Sequence, residues 1–338
     1  MHKKLFMKHF QLLLVFCLPL LLLTGCAASG SSREFFAMDT VMQATVYGSG
    51  AEEALQAAEE EIYRLEQLFS CQAPEAELAR CNRAGQLSVS AETAELVQTA
   101  LDLSEKTGGA YDPTLYPLSL AWGFSGGDYR VPDAEELRSL LAVTGASRVS
   151  VDGCRITLQP GTQLDLGGIA KGYAAGQLRK LLTDAGIRSA IVSLGGNIAA
   201  VGAKPDGSDW QVGLQDPQDP DTYFGILSIH DACVVTSGGY QRYFEQDGVR
   251  YHHILDPGTG CPAESGLLSV SVVSADDTLA DALSTALFVM GFDEGQALWR
   301  SGALSFEAVW MLQDGSVYLT PGLSGSYRSE RAFQVIAS

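Results

Sequence analysis

Apolar positions recur along the chain with two periods, and the switching between them is the first structural signal. Met42–Tyr47 alternates apolar and polar residues as a half-buried strand does. After Gly48-Ser49-Gly50, residues Leu55, Ala58, Ile62, Leu65 and Phe69 return every three or four positions, which predicts a helix with one buried face. A second helix is predicted over Ala91–Lys106, stopped by Gly108-Gly109. Beyond a middle section rich in Pro and Gly, Arg148–Leu158 reads as a hairpin turning at Asp152-Gly153. Gln163–Leu166 reads as a short strand that runs through Gly167-Gly168 into a helix over Ala170–Asp184. Further strands are expected at Ala190–Leu194, Ile198–Val201, Trp210–Leu214, Gly225–His230 and Leu268–Val273, many joined by turns of hairpin length. Near-neighbour strands with helices set between groups of them predict an α+β fold rather than a doubly wound parallel sheet. No repeat and no long linker interrupts the pattern, so residues 35–338 read as a single unit.

The N-terminus follows neither period. Lys3, Lys4 and Lys8 precede an apolar run from Leu12 to Leu23 that ends in Leu23-Thr24-Gly25-Cys26, the anatomy of an export signal. Small residues ahead of Cys26 resemble a bacterial lipobox. Residues 1–25 are therefore expected to be a lipoprotein signal peptide, with Cys26 lipidated and residues 26–34 forming a tether. The run is short for a spanning helix. The mature chain is expected on the extracytoplasmic face of the cell membrane. Loss of residues 1–25 removes three lysines and no acid, moving the formal charge from −18 to −21.

Composition narrows the function. A chain of 338 residues with 46% hydrophobic and 18% charged residues buries a substantial core. The acidic balance argues against a nucleic-acid partner, whose affinity begins with clustered Lys and Arg. Beyond Cys26 stand Cys71, Cys81, Cys154, Cys233 and Cys261, with no Cys-x-x-Cys; Cys71 and Cys81 either pair or stay free. Only His230, His252 and His253 follow the signal, too few for a polyhistidine metal site. G-x-G-x-x-G, Walker A, G-x-S-x-G and H-E-x-x-H are all missing, which removes support from dehydrogenase, P-loop, α/β-hydrolase and zincin readings.

Four clusters remain that carry chemistry. Asp165 through Tyr173 sits at a strand-to-helix junction, where glycines admit an anionic ligand to the backbone and Lys171 adds a charge; a tight turn with a solvated lysine is the other account. Asp281 and Thr285 share a face of a helix that is apolar nearly all round. Two hard oxygens there suit Mg²⁺, or Asp281 is satisfied by backbone or an arginine. His253 precedes the Asp256-Pro257-Gly258 turn, as a general base, a phosphate contact or a satisfied strand-end histidine. Ala110-Tyr111-Asp112-Pro113-Thr114, with Trp122-Gly123-Phe124 downstream, covers a flat ring or simply packs.

Taken together these clusters resemble the ApbE family of FAD:protein FMN transferases. The resemblance is carried by Met38-Asp39-Thr40, Ala110–Thr114, Asp165–Gly172, Ser193–Asn197, Ser237-Gly238 with Tyr240 and Arg242, His253–Pro257, and Asp281 with Thr285, spanning roughly residues 35–320. It implies an ApbE-like, T-fold-related architecture of mixed, mostly antiparallel sheets with packed helices. It implies FAD as substrate, Mg²⁺ as metal, and transfer of FMN to a Ser or Thr hydroxyl of an acceptor protein with release of AMP. The acceptor implied is a flavin-carrying subunit of a membrane or extracytoplasmic redox system. By motif position, Asp281 and Thr285 would hold Mg²⁺ through side chains and Gly168 through its carbonyl. Met38, Gln72, Ala110, Tyr111, Asp112, Asp165 and Lys171 would bind FAD. His253 and Ile254 would face the reacting phosphate, with His253 as proton acceptor or phosphate stabiliser.

Four positions depart from the family pattern: Asp39 where Gly is usual, Gln72 where a ring-stacking aromatic is frequent, Gly239 for a polar residue, and Gly258 for an arginine. Two other activities fit the same residues: an Mg²⁺-dependent FAD pyrophosphatase giving FMN and AMP, and a lipoprotein that holds flavin without turnover.

Overall fold

The computed structural model describes residues 30–337; the segment expected to be an export signal, and Cys26, lie outside them. The chain opens with a hairpin of β1 (Gly30–Ala37) and β2 (Thr40–Tyr47), followed by α1 (Ala51–Phe69), α2 (Glu77–Ala84), β3 (Gln86–Ser88) and α3 (Ala91–Lys106). The middle section holds α4 (Tyr116–Trp122), α5 (Ala134–Leu141), β4 (Val149–Asp152) and β5 (Arg155–Leu158). After α6 (Ala170–Asp184) come β6 (Ser189–Leu194), β7 (Asn197–Val201), β8 (Trp210–Asp216), β9 (Asp219–Ile229), β10 (Cys233–Gly238), β11 (Tyr243–Gln246), β12 (Val249–His252) and β13 (Leu267–Ser274). The chain ends with α7 (Asp277–Ser301), β14 (Glu307–Leu312), β15 (Val317–Leu319), β16 (Tyr327–Arg328) and β17 (Phe333–Val335).

A nine-stranded sheet in the order β1-β2-β6-β7-β10-β13-β14-β15-β17 forms the frame. Every pairing in it is antiparallel except β15 with β17. Its central strands are buried on both faces, which is why they read as continuous apolar runs. In β13 and β14, Val270, Val272, Ala308 and Trp310 join the core beneath the helices. Val309, Met311 and the neighbouring Val234 of β10 pack instead against Trp210, Leu214, Phe224 and Leu227 of a small sheet ordered β16-β9-β8. The fold is the expected α+β arrangement of mostly antiparallel sheets. Among the described residues, no helix is long and apolar enough to cross a membrane.

The helices follow local signals. Ser90 caps α3 by accepting the Thr93 N–H at 3.2 Å, and Asp276 caps α7 by accepting that of Leu279 at 3.0 Å. The nearly all-apolar helix is indeed buried: Ala280 through Ser284, then Ala286 to Phe288, are enclosed in α7. α6 and α7 pack closely because Gly172 has no side chain; a Cβ there would stand 2.3 Å from the Asp277 carbonyl oxygen and 2.5 Å from Asp281 Cβ.

Three expectations need correction. The tether read to residue 34 is shorter, because residues 30–34 belong to β1 and pair in register with β2, with Arg33 bonded to Glu59 of α1 at 2.9 Å. Gln163–Leu166 is not a strand: Gln163 makes one isolated bridge to Leu115, and the Asp165 N–H donates to the Pro113 carbonyl at 2.7 Å. That pairing draws the chain alongside the 110–115 loop instead of into a sheet. The β4–β5 turn is centred on Gly153-Cys154, one residue later than expected, with Gly153 at φ 56°. The five cysteines among the described residues are all free.

Candidate active site

A cavity of about 680 Å³ opens where the β1–β2 and β6–β7 hairpins turn, beside the start of α6 and the buried half of α7. Every site residue expected within the described region lines it: Met38, Gln72, Ala110, Tyr111, Asp112, Asp165, Gly168, Lys171, His253, Ile254, Asp281 and Thr285. Residues up to 247 positions apart, Met38 and Thr285, are thus brought to one place by the sheet order.

The floor is built by the α6–α7 crossing. Asp281 is 4% exposed, and its Oδ2 accepts the Gly172 N–H at 2.8 Å. That bond uses one of its oxygens; no hydrogen bond reaches Oδ1 among the described residues. Thr285 lies one turn further along, and its Oγ1 stands 3.5 Å from where a Cβ on Gly168 would be, which puts the loop in van der Waals contact with the helix. The Ser284 hydroxyl donates to the Asp281 carbonyl at 2.9 Å and meets the Ser237 hydroxyl, also at 2.9 Å. Tyr111 covers this corner with its OH buried and without a partner. Burial, reinforced by Asp281, Asp165 and Asp112, pushes its pKa well above the usual phenol value, so it stays a neutral donor.

These donors fit Mg²⁺. The ion prefers oxygen, needs one or two carboxylates, and completes its sphere with waters and substrate phosphates. Asp281 offers the carboxylate, Thr285 a hydroxyl and Gly168 a backbone carbonyl. No group of three acidic, His or Cys side chains gathers among the described residues, so the site is not an all-protein cage.

The walls carry charge. Asp165 is half-buried and accepts the Gly167 N–H at 2.8 Å; burial raises its pKa, with that bond and the charges of Lys171 and Arg242 opposing. Lys171 donates to the Gly167 carbonyl at 2.9 Å, which holds its ammonium at the loop that begins α6. Asp112 accepts from the Thr114 N–H at 2.8 Å and hydroxyl at 2.6 Å, and thus orders its own loop; burial raises its pKa. The His253 Nδ1 lies 3.1 Å from the Arg242 carbonyl oxygen. A carbonyl only accepts, so that nitrogen carries the proton and Nε2 keeps its lone pair. Burial, with the nearby charges of Arg242, His252 and Lys171, pushes the His253 pKa down to about 4.

The mouth is made of loops. Met38 and Asp39 are the two central residues of the β1–β2 turn, both with positive φ, 48° and 60°. Aspartate tolerates that region better than most residues, which accounts for Asp39 where glycine would be easiest. The Met38 N–H donates to Glu66 of α1 at 2.7 Å, and the Gln72 amide donates to Asp39 Oδ2 at 3.0 Å. Gly239 has a local reason as well: a Cβ on it would stand 2.7 Å from the His252 ring.

Several lining residues had no role assigned from the sequence. Asn197 is 4% exposed with its Nδ2 unpartnered, and it faces the cavity after the Gly195-Gly196 turn. That Gly-Gly pair between two apolar runs is the signal that could have placed it. Glu66 and Thr236 also line the cavity, as do Phe124 and Ser237, which stood in the sequence clusters without a role of their own.

Comparison with known proteins agrees with this geometry. The model of the ApbE family matches residues 38–310. An FAD:protein FMN transferase of Treponema pallidum (strain Nichols) is 37% identical over 320 residues, covering 86% of this chain and 87% of that protein. One from Klebsiella pneumoniae (strain 342) is 37% identical over 268 residues, covering 77% and 82%. Among solved structures, the ApbE protein of Thermotoga maritima superposes with a TM-score of 0.83 at 34% identity, covering 89% of this chain and all of that one. The apo flavinyl transferase ApbE of Pseudomonas stutzeri gives 0.76 at 33% identity, covering 85% and 92%. Family motifs that converge on one cavity, matched over most of the length of these relatives, establish that the chain belongs to the ApbE family.

Proposed function

We propose that this chain transfers FMN from FAD to a Ser or Thr hydroxyl of an acceptor protein, releasing AMP. The observation that carries the reading is the convergence of the Asp281, Lys171 and His253 clusters on a single cavity. In the reaction the acceptor oxygen bonds to the FMN phosphorus, the phosphoanhydride bond to AMP breaks, and the hydroxyl proton must be taken up.

His253 suits that last task. It is unprotonated at neutral pH and becomes charged only as the pH falls toward about 4, so its Nε2 is a ready acceptor. Lys171 and the N–H groups at the start of α6 favour phosphate oxygens on one wall. The Tyr111 OH and the Asn197 amide supply buried donors that gain a partner only when a ligand arrives. Asp281, Thr285 and Gly168 would hold Mg²⁺, which when bound neutralises charge on the pyrophosphate. With so few groups to make or break bonds, positioning and electrostatics account for most of the rate.

The same reading places a lipid on Cys26 and the catalytic unit on the extracytoplasmic face of the membrane, next to an acceptor in a redox complex. Incubation with FAD, Mg²⁺ and a candidate acceptor domain tests the proposal. The expected result is a mass gain of one FMN on the acceptor with equimolar AMP. Free FMN and AMP with an unmodified acceptor would select the pyrophosphatase. Neither product in the presence of Mg²⁺ would overturn both enzymatic readings and leave a flavin holder.

A further inference from the structure

His253 is the group with the narrowest geometric requirement, and what holds it comes from outside the His253–Pro257 segment. Its backbone N–H and its Nδ1 both lie 3.1 Å from one atom, the Arg242 carbonyl oxygen. That carbonyl is the only acceptor the ring meets on this side among the described residues, so its position decides which nitrogen carries the proton. Arg242 stands just before β11, a short strand whose sole sheet partner among the described residues is β12. A two-stranded ribbon is a weak frame for a catalytic atom.

The side chain of Arg242 supplies the missing support. Its guanidinium Nη2 donates to the Phe124 carbonyl oxygen in the loop after α4. That loop is itself tightly closed: Gly123 has φ 81°, and a Cβ on it would stand 2.2 Å from the Asp128 carbonyl oxygen. Phe124 is 1% exposed and its ring meets His253 edge-on, with centroids 6.4 Å apart. Phe124 also packs with Trp122, Tyr129 and Phe244, which ties the loop to the β11–β12 ribbon. One residue therefore links a rigid aromatic cluster to the carbonyl that orients the imidazole.

We infer that Arg242 is a positioning residue: its side chain, anchored on Phe124, fixes its own carbonyl so that His253 keeps the Nδ1–H tautomer with Nε2 free for the cavity. The inference rests on the reading of His253 as proton acceptor, but the ring's tautomer is measurable without any turnover. A second consequence concerns charge. The groups facing His253 are Arg242, His252 from β12 and Lys171 from α6, all of which disfavour its protonation, while Asp165 and Asp39 sit among the cations of the same cavity. Removing the Arg242 charge therefore moves the His253 titration upward, and the acid limb of the transfer rate moves with it.

The test uses the full chain in detergent with ¹⁵N-labelled histidine rings; the chain has five histidines, and a His253→Asn variant assigns the one of interest. In the unmodified chain, His253 is expected to show a protonated Nδ1 and an unprotonated Nε2 at neutral pH. In Arg242→Gln the ring is expected to exchange between tautomers and to titrate at higher pH, with kcat lower by roughly 10- to 100-fold. Arg242→Lys keeps the charge but not the forked donor, so it should restore the titration and not the tautomer. Three results would overturn the inference: an Nε2–H tautomer in the unmodified chain, an unchanged tautomer and titration in Arg242→Gln, or a loss confined to FAD affinity. Absence of any FMN transfer would instead remove the functional reading and leave the tautomer result standing.

Discussion

The floor and the mouth of the cavity are built on opposite principles. At the floor, Asp281 and Thr285 project from a buried helix, and Gly172 brings a second segment so close that no side chain fits between. At the mouth, Met38, Asp39 and Gln72 lie in a turn and a loop, and Asp39 and Gln72 are both exposed. Two of the four positions expected to depart from the family pattern, Asp39 and Gln72, lie at the mouth and bond to each other. Groups locked into a core vary at high cost, because each neighbour constrains the next. Groups on a rim are under fewer such constraints.

If the floor carries the chemistry, its loss should be the largest effect. Asp281→Ala removes the site's carboxylate and is expected to lower transfer by roughly 10³-fold or more, since a metal's charge stabilisation is worth several kcal/mol. The fold should survive, because the lost Gly172 hydrogen bond is offset by removal of a buried carboxylate; the expected change is within about 2 kcal/mol. Transfer assays and denaturant melts on the same sample separate the two. Activity within tenfold of the unmodified chain would show that the floor does not hold the ion.

Gly172→Ala addresses the same crossing without touching a ligand. The added Cβ would overlap the Asp277 carbonyl and Asp281 Cβ, so α6 and α7 must separate slightly. Overpacking of this kind costs about 1–3 kcal/mol. It should also displace the Asp281 carboxylate and reduce kcat by roughly tenfold, since small misplacements at a reacting centre are expensive. A stable variant with an unchanged kcat would mean that the close approach serves packing alone.

The same contrast governs how much of the molecule was legible from the sequence. α1 and α3 were readable because their apolar faces repeat every three or four residues and end at glycine or polar caps. β1 was not, since its first half, Gly30–Glu34, carries only small or charged residues, and the side chain that turns inward at its centre is Arg33, satisfied by glutamates of α1 that sequence spacing does not pair with it. The cavity floor was legible through a costly residue, Asp281 on an apolar helix. Asn197 carried no comparable cost, because a polar residue at a strand end is common and only the register of β7 against β10 turns it inward. Arg242 stood in a readable motif, yet its bond to Phe124, 118 residues away in sequence, exists only in the fold.

The mouth should give the smallest effect and the most informative pattern. The 3.0 Å bond from the Gln72 amide to Asp39 joins the loop after α1 to the β1–β2 turn, which the Met38 N–H also ties to Glu66 of α1. An exposed hydrogen bond of this sort is worth about 0.5–1.5 kcal/mol. What it supplies to the substrate is pre-organisation of the rim, so breaking it should weaken FAD binding by roughly two- to tenfold and leave kcat alone. Gln72→Ala and Asp39→Ala are each expected to do so, although the latter also strains a residue held at φ 60°. Asp39→Gly relieves that strain and isolates the loss of the carboxylate. If the two residues act as one latch, the Gln72→Ala, Asp39→Gly double variant should bind FAD no more weakly than either single one, a non-additivity that a double-mutant cycle reads directly. Additive losses would make them independent contacts to the substrate, and a tenfold fall in kcat from either would move the mouth into the catalytic machinery and erase the division between rim and floor.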